Sequence, residues 1–226
     1  MRRLASDVIS KLLAEKQKIV TTFPPSVLDT GNTIDELISG TAVFPGGSGL
    51  WRGPDCFGEL PEFFPESPIM FVGHNFDSED GYEKSKKQGG GKQNAHNFWG
   101  VLLAYLLHAN IQPSDCFFTN ALMGLKPGRS TGPMPKAQGP EYEDQCSLFL
   151  QKQIEIVEPK IIVALGREAF KRIRRIKISL DWQQFMHPSA REFKPLITRK
   201  DRIFAQGQAI REFLINASAT AKQLDT

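Results

Sequence analysis

Four short, nearly continuous apolar runs recur from residue 69 onward, each followed by a stretch of different patterning, and few folds accept that order. The runs are IMFV at 69–72, CFFTNAL at 116–122, KIIVAL at 160–165 and WQQFMH at 182–187. Helical spacing predicts helices over 97–109, 141–157, 166–177 and 206–217. Strands that stay apolar rather than alternating are buried on both faces, which is a property of parallel sheets. The order β-α-β-α-β-α-β therefore predicts an α/β fold: a single three-layer α/β/α domain around a four-stranded parallel sheet. Right-handed crossovers then bring all four strand C-termini to one edge.

The segment before these runs reads differently. Residues 4–20 place Leu4, Val8, Ile9, Leu12 and Leu13 at helical spacing, which predicts an amphipathic helix. Residues 23–65 are rich in proline and glycine, with one short helix predicted near Thr33 to Ser39. Residues 1–67 are thus expected to form an N-terminal helix and a loop-rich cap, and 68–193 the core, within one domain of 226 residues. No apolar run approaches the roughly 20 residues of a membrane span. The start, MRRLASDVISKLL, lacks the apolar block of a signal peptide. A cytoplasmic protein with no membrane partner is expected. Cys56, Cys116 and Cys146 are widely spaced and form no CxxC, which argues against a zinc site or a disulfide framework.

The strand ends carry the chemistry. Open α/β sheets bind ligands outside the carboxyl ends of their strands. The first run ends in Gly73-His74-Asn75-Phe76-Asp77, the second in Thr119-Asn120, the third in Gly166, the fourth in His187-Pro188-Ser189. Each piece alone has a plain structural use: a turn, a cap or a packing glycine. Together they place two amides, a histidine, a hydroxyl and two glycines on one edge.

In this order the motifs resemble those of the uracil-DNA glycosylase superfamily. MFVGHNFD resembles its first motif, and HNFWGVLLAYL the helix that follows it in the mismatch-specific and single-strand-selective branches. FFTNALMGLKPGRSTGPMP and CSLFLQKQIEIVEPKIIVALGREAF resemble blocks of the thermostable iron–sulfur branch, and HPS the last motif. That branch holds its cluster on four cysteines. Here Cys146 stands at one such place and Gly124 at another, so no iron–sulfur cluster and no metal are expected. Where the first motif of many relatives has Asp-Pro, this chain has Asn75-Phe76.

The resemblance implies cleavage of a base from deoxyribose, and the residues supply parts for it. An amide carries donor and acceptor in one plane, which suits Asn120 to the O4 and N3–H of uracil. Phe76 is the nearest aromatic floor for the base, with Phe98 a second candidate whose other role is a buried helix face. His187 is the candidate donor to the O2 of the departing uracil. Asn75 is suited to orient water, Asp77 or Asp80 to supply a carboxylate, and His74 is a further polar group there. Gly73 and Gly166 allow close approach of backbone and base.

Net charge is only +3, so placement matters more than the sum. KRIRRIK at 171–177 has five cations in seven residues. Its helix starts at the ligand edge and runs roughly 15 Å away from it, which favours a solvated helix end over a DNA site. Better placed are the loop cations Lys84, Lys86, Lys87, Lys92, Lys126, Arg129, Lys136, Arg191 and Lys194. Lys126, Arg129, Ser189 and Arg191 are the expected phosphate contacts, and Arg191 or Phe193 a wedge for the space a base leaves. The expected partner is uracil-containing DNA, bound by a monomer. The competing expectation is a module of the same fold that binds nucleic acid or nucleotide without chemistry. A nucleotide-dependent enzyme is disfavoured, because GGGK at 89–92 lacks the GxxxxGK spacing.

Overall fold

A computed structural model describes residues 2–20, 49–53, 58–75, 78, 80–81, 98–124, 128, 139–190 and 198–224. These residues form a mixed α/β fold with one five-stranded sheet and five α-helices. The strands are β1 (Gly49–Leu50), β2 (Ile69–Gly73), β3 (Cys116–Asn120), β4 (Ile161–Leu165) and β5 (Trp182–Phe185). The helices are α1 (Ala5–Val20), α2 (Phe98–Ala109), α3 (Gly139–Val157), α4 (Arg167–Ile173) and α5 (Arg199–Leu224). The helix expected near residues 33–39 lies outside the described residues.

The sheet runs β1-β3-β2-β4-β5. β2 to β5 are mutually parallel, with Met70 opposite both Phe117 and Ile162. The expected four-strand count is corrected by β1, which pairs antiparallel to β3 with Gly49 opposite Phe118. Two residues within a proline- and glycine-rich stretch carry no readable period. The pairing arises because backbone groups on the outer side of β3 need partners.

Strand residues split by parity between two apolar clusters. Met70, Val72, Phe117, Ile162 and Ala164 pack with Leu12 of α1, Phe149 of α3 and Ile173 of α4. Ile69, Phe71, Phe118, Val163 and Leu165 pack with Leu102 and Leu106 of α2 and Ile210 of α5. Both sides of each central strand are therefore apolar, which is why the runs show no alternation.

The N-terminal helix is fastened to this core. Ala5, Val8, Leu12 and Ile19 are buried. The guanidinium of Arg3 donates to the carbonyls of Ile156 and Val157, each at 2.7 Å. These are orphan carbonyls at the C-terminus of α3, where positive charge also suits the helix dipole. Arg3→Ala is expected to destabilise the protein by about 1–2 kcal/mol, measured by urea unfolding. An unchanged midpoint would show that water replaces the guanidinium without loss.

Element ends differ from expectation for local reasons. β3 stops at Asn120 because the N–H groups of Ala121 and Leu122 turn to the carbonyls of Gly73 and His74, both at 2.9 Å. α4 ends at Ile173, and Arg174 to Ile176 form a turn. Three cations of KRIRRIK face carboxylates: Lys171 meets Glu168 at 2.8 Å, Arg172 meets Glu143 at 2.5 Å, and Arg175 reaches Glu143 at 3.5 Å. That run serves as helix-end scaffolding. α5 begins earlier than its apolar pattern suggests. Thr198 caps it, its hydroxyl donating to Asp201 at 2.6 Å and accepting the Asp201 N–H at 3.2 Å. Thr198 thus serves as an N-cap that satisfies one of the helix's free N–H groups.

Candidate active site

The chain enters the parallel sheet at β2, adds β3 on one side and returns to lay β4 on the other. Strand order reverses between β2 and β4, and their C-terminal ends border the crevice where such sheets hold ligands. Gly73, His74 and Asn75 come from β2, and Gly166 follows β4.

Each glycine makes room for a side chain from the neighbouring strand. Gly73 is opposite Asn120 in register. A Cβ on Gly73 would collide with Oδ1 of Asn120, so a bare Cα lets that amide lie across the end of β2. Gly166 has φ 89° and ψ 173°, a region L-residues essentially avoid. A Cβ there would stand 3.0 Å from Cβ of His187 and 3.6 Å from its Cγ and Cδ2. The Gly166 N–H donates to the Phe185 carbonyl at 2.8 Å, tying the ends of β4 and β5 together.

His187 is held from several directions. Its Nδ1 accepts the backbone N–H of Ser189 at 3.1 Å. An acceptor nitrogen carries no proton, so the neutral ring bears its hydrogen on Nε2. The N–H of Ala190 donates to the His187 carbonyl at 2.9 Å and closes the turn. α5 grips the segment on either side: Oε1 of Gln206 accepts the Met186 N–H at 2.9 Å, and Arg202 donates to the Ala190 carbonyl at 2.8 Å. The ring of Phe98 lies 5.2 Å from the imidazole, tilted by 45°. Burial, assisted by the nearby His74, lowers the His187 pKa to about 4. The imidazole is therefore neutral at physiological pH.

His74 also lies near Glu168 in the first turn of α4. A hydrogen bond from Lys171 chiefly lowers the pKa of that carboxyl, and His74 adds to the effect. The Asp80 N–H donates to the Gly128 carbonyl at 3.2 Å, joining the segments that follow β2 and β3. Ser189 is exposed at the turn. Its backbone N–H is engaged by His187, so its hydroxyl is the group left for an outside ligand. Phe76, Asp77, Lys126, Arg129 and Arg191 lie outside the described residues, as do Cys56 and the 83–94 loop.

Sequence reasoning missed Arg202 and Gln206 altogether, since no local pattern marks a helix residue that bonds a distant turn. A separate cleft of about 1020 Å³ lies at the opposite edge, where Ile69, Asp115 and Lys160 begin or precede strands. It is lined by none of the predicted site residues. The chemistry at the strand C-termini outweighs its size.

A mostly parallel sheet that carries His74, Asn75, Asn120 and His187 at the C-terminal ends of its strands defines a mixed α/β protein whose polar groups lie at the edge where such sheets hold ligands. Residues 57–210, more than half of the chain, match the Uracil DNA glycosylase superfamily. The protein belongs to that superfamily. No curated protein matches the chain.

The iron–sulfur cluster of one branch does not fit the described residues. Cys146 and Cys116 belong to apolar clusters on opposite faces of the sheet. The Cys146 thiol accepts the Met123 N–H at 3.3 Å, beside the Tyr142 hydroxyl, which donates to the Met123 carbonyl at 2.6 Å. Burial pushes the pKa of this thiol up to about 11. Among the described residues, no group of three or more His, Cys, Asp or Glu side chains converges to hold a metal. None of their helices is long and apolar enough to cross a membrane.

Proposed function

We propose that this protein is a monofunctional uracil-DNA glycosylase, hydrolysing the N-glycosidic bond of a uracil turned out of DNA and leaving an abasic site. The observation that carries the proposal is the state of His187: Nδ1 accepts a backbone hydrogen bond and the ring is neutral. A neutral Nε2–H is a donor that does not first have to lose charge. As C1′–N1 breaks, the bonding pair leaves with the base and negative charge gathers on its O2. A preorganised donor aimed there stabilises the charge as it develops.

The other groups follow from this. The base leaves the stack before it can react. Asn120, held across Gly73, offers one donor and one acceptor to the uracil edge. Phe76 supplies the floor. Asn75 orients the water that adds to C1′, and the proton that water loses passes to the Asp77 carboxylate or to solvent. Lys126, Arg129, Arg191 and the Ser189 hydroxyl hold phosphates. In this account the enzyme acts as a metal-independent monomer in the cytoplasm.

A second reading, a binder without chemistry, is favoured by one feature: an amide at position 75 cannot accept a proton. One assay separates the two. The protein is incubated with a uracil-containing oligonucleotide in EDTA, and abasic sites are then cleaved with alkali. Strand scission is the expected result. Tight binding without scission would replace the enzyme with the binder. Neutralising three phosphates should also weaken DNA binding about fortyfold between roughly 50 and 200 mM salt. A flat salt response would remove the loop cations from the interface.

A further inference from the structure

We propose that Phe98 is a positioning residue for His187, its ring forming one wall of a water-poor seat that holds the imidazole in a single orientation and protonation state. The inference rests on the proposal that His187 is the donor to the leaving base. It adds a residue that the motif-bearing strand ends do not contain.

The geometry begins at the N-terminus of α2. Phe98 is the first residue of that helix, and its ring centroid is 5.2 Å from that of His187. Behind it stands Trp99, edge-on at 5.7 Å. Trp99 is 7 % exposed and meets Phe118 of β3 at 5.1 Å and Trp51 at 6.0 Å. Phe98 is thus the outermost ring of an aromatic group rooted in the sheet. It is not a lone aromatic on a loop.

The imidazole then has defined neighbours on different parts of its ring. Nδ1 accepts the Ser189 N–H, the Cβ, Cγ and Cδ2 atoms pack on the side of Gly166, and the Phe98 ring lies 5.2 Å away at a 45° tilt. Two effects of the phenyl ring oppose each other. An aromatic face attracts a cation, which would favour imidazolium. Excluding water disfavours it. At 5.2 Å and a 45° tilt the two rings are in contact without stacking, and a cation–π effect at such a distance is worth about 0.5–2 kcal/mol at most. Desolvation therefore prevails, in line with burial as the main cause of the lowered His187 pKa. Among the described residues, the titratable and charged groups near the seat are His74 just past β2, with Glu168 and Lys171 on α4 beyond it, and Arg202 on α5. None of them belongs to α2, so changing Phe98 leaves the charges in place and alters only the wall.

The test is a histidine titration by NMR on the whole chain, with the His187 resonance among the four histidines assigned from His187→Gln. Phe98→Ala is expected to raise the His187 midpoint by about one pH unit. Phe98→Leu, which keeps most of the apolar bulk, should raise it less. Single-turnover excision at neutral pH should fall about tenfold in Phe98→Ala, with the acid limb of its pH profile moving together with the NMR midpoint. An unmoved midpoint in Phe98→Ala overturns the inference, even if uracil is excised. Should Phe98→Ala fail to fold, an unmoved midpoint in Phe98→Leu together with an unmoved acid limb overturns it equally. If the midpoint moves but the wild-type protein excises no uracil, the seat is supported and the glycosylase proposal falls.

Discussion

His187→Ala lowers single-turnover uracil excision about a hundred- to a thousandfold and leaves the protein folded. One oriented donor on a developing oxyanion contributes on the order of 3 kcal/mol to the barrier, which is that range of rate. The fold survives because His187 follows β5 and belongs to neither apolar cluster. The variant also carries a signature in stability. The folded-state pKa of His187 is lowered to about 4, below the ordinary 6.5. Between those values the unfolded chain binds a proton at this position and the folded chain does not. Stability is therefore lost as pH falls from 6.5 through about 4. Without the imidazole this part of the acid sensitivity disappears. Urea unfolding at pH 7 and pH 5 should show a smaller drop for His187→Ala than for wild type. Excision within threefold of wild type would remove His187 from the mechanism.

Gly166→Ala is expected to damage both stability and activity. The backbone at φ 89° and ψ 173° costs an L-residue about 1–3 kcal/mol. The new Cβ also arrives 3.0 Å from Cβ of His187, close enough that the imidazole must shift. A displacement near 1 Å at a reacting group costs about a hundredfold in rate, so the rate should fall by at least tenfold at temperatures where the variant is fully folded. Gly128→Ala is the matched control. It also has positive φ, at 66°, but a Cβ there meets no atom within 4 Å. If the two variants lose equal amounts of activity, close packing against His187 is not what Gly166 provides.

The placement of the candidate site residues at one sheet edge was readable before folding because strand ends are local. Asn75, Asn120, Gly166 and His187 each stand just beyond an apolar run, and the ligand-edge rule gathers them without side-chain detail. The parallel sheet was readable for the same reason: runs such as IIVAL have one stable environment. The pairings were not readable. Gly73 serves Asn120, and Gly166 serves His187, only because β2 lies beside β3 and β4 beside β5. Nor does any local pattern show that the Ser189 N–H is turned onto the imidazole of His187. β1 escaped notice because two residues carry no period, and Phe98 was ambiguous because an aromatic at a helix start reads as core.

Apolar periodicity and punctuation by glycine determined the α/β order and the sheet edge that carries the polar groups, because these depend on contacts each segment makes wherever it packs, while the motifs at the strand ends carried the resemblance to the family. The protonation state of His187, its grip by Arg202 and Gln206 of α5 and its contact with Phe98 were decided by the tertiary structure alone. Those properties depend on which groups exclude water and donate hydrogen bonds across distances that no local pattern encodes.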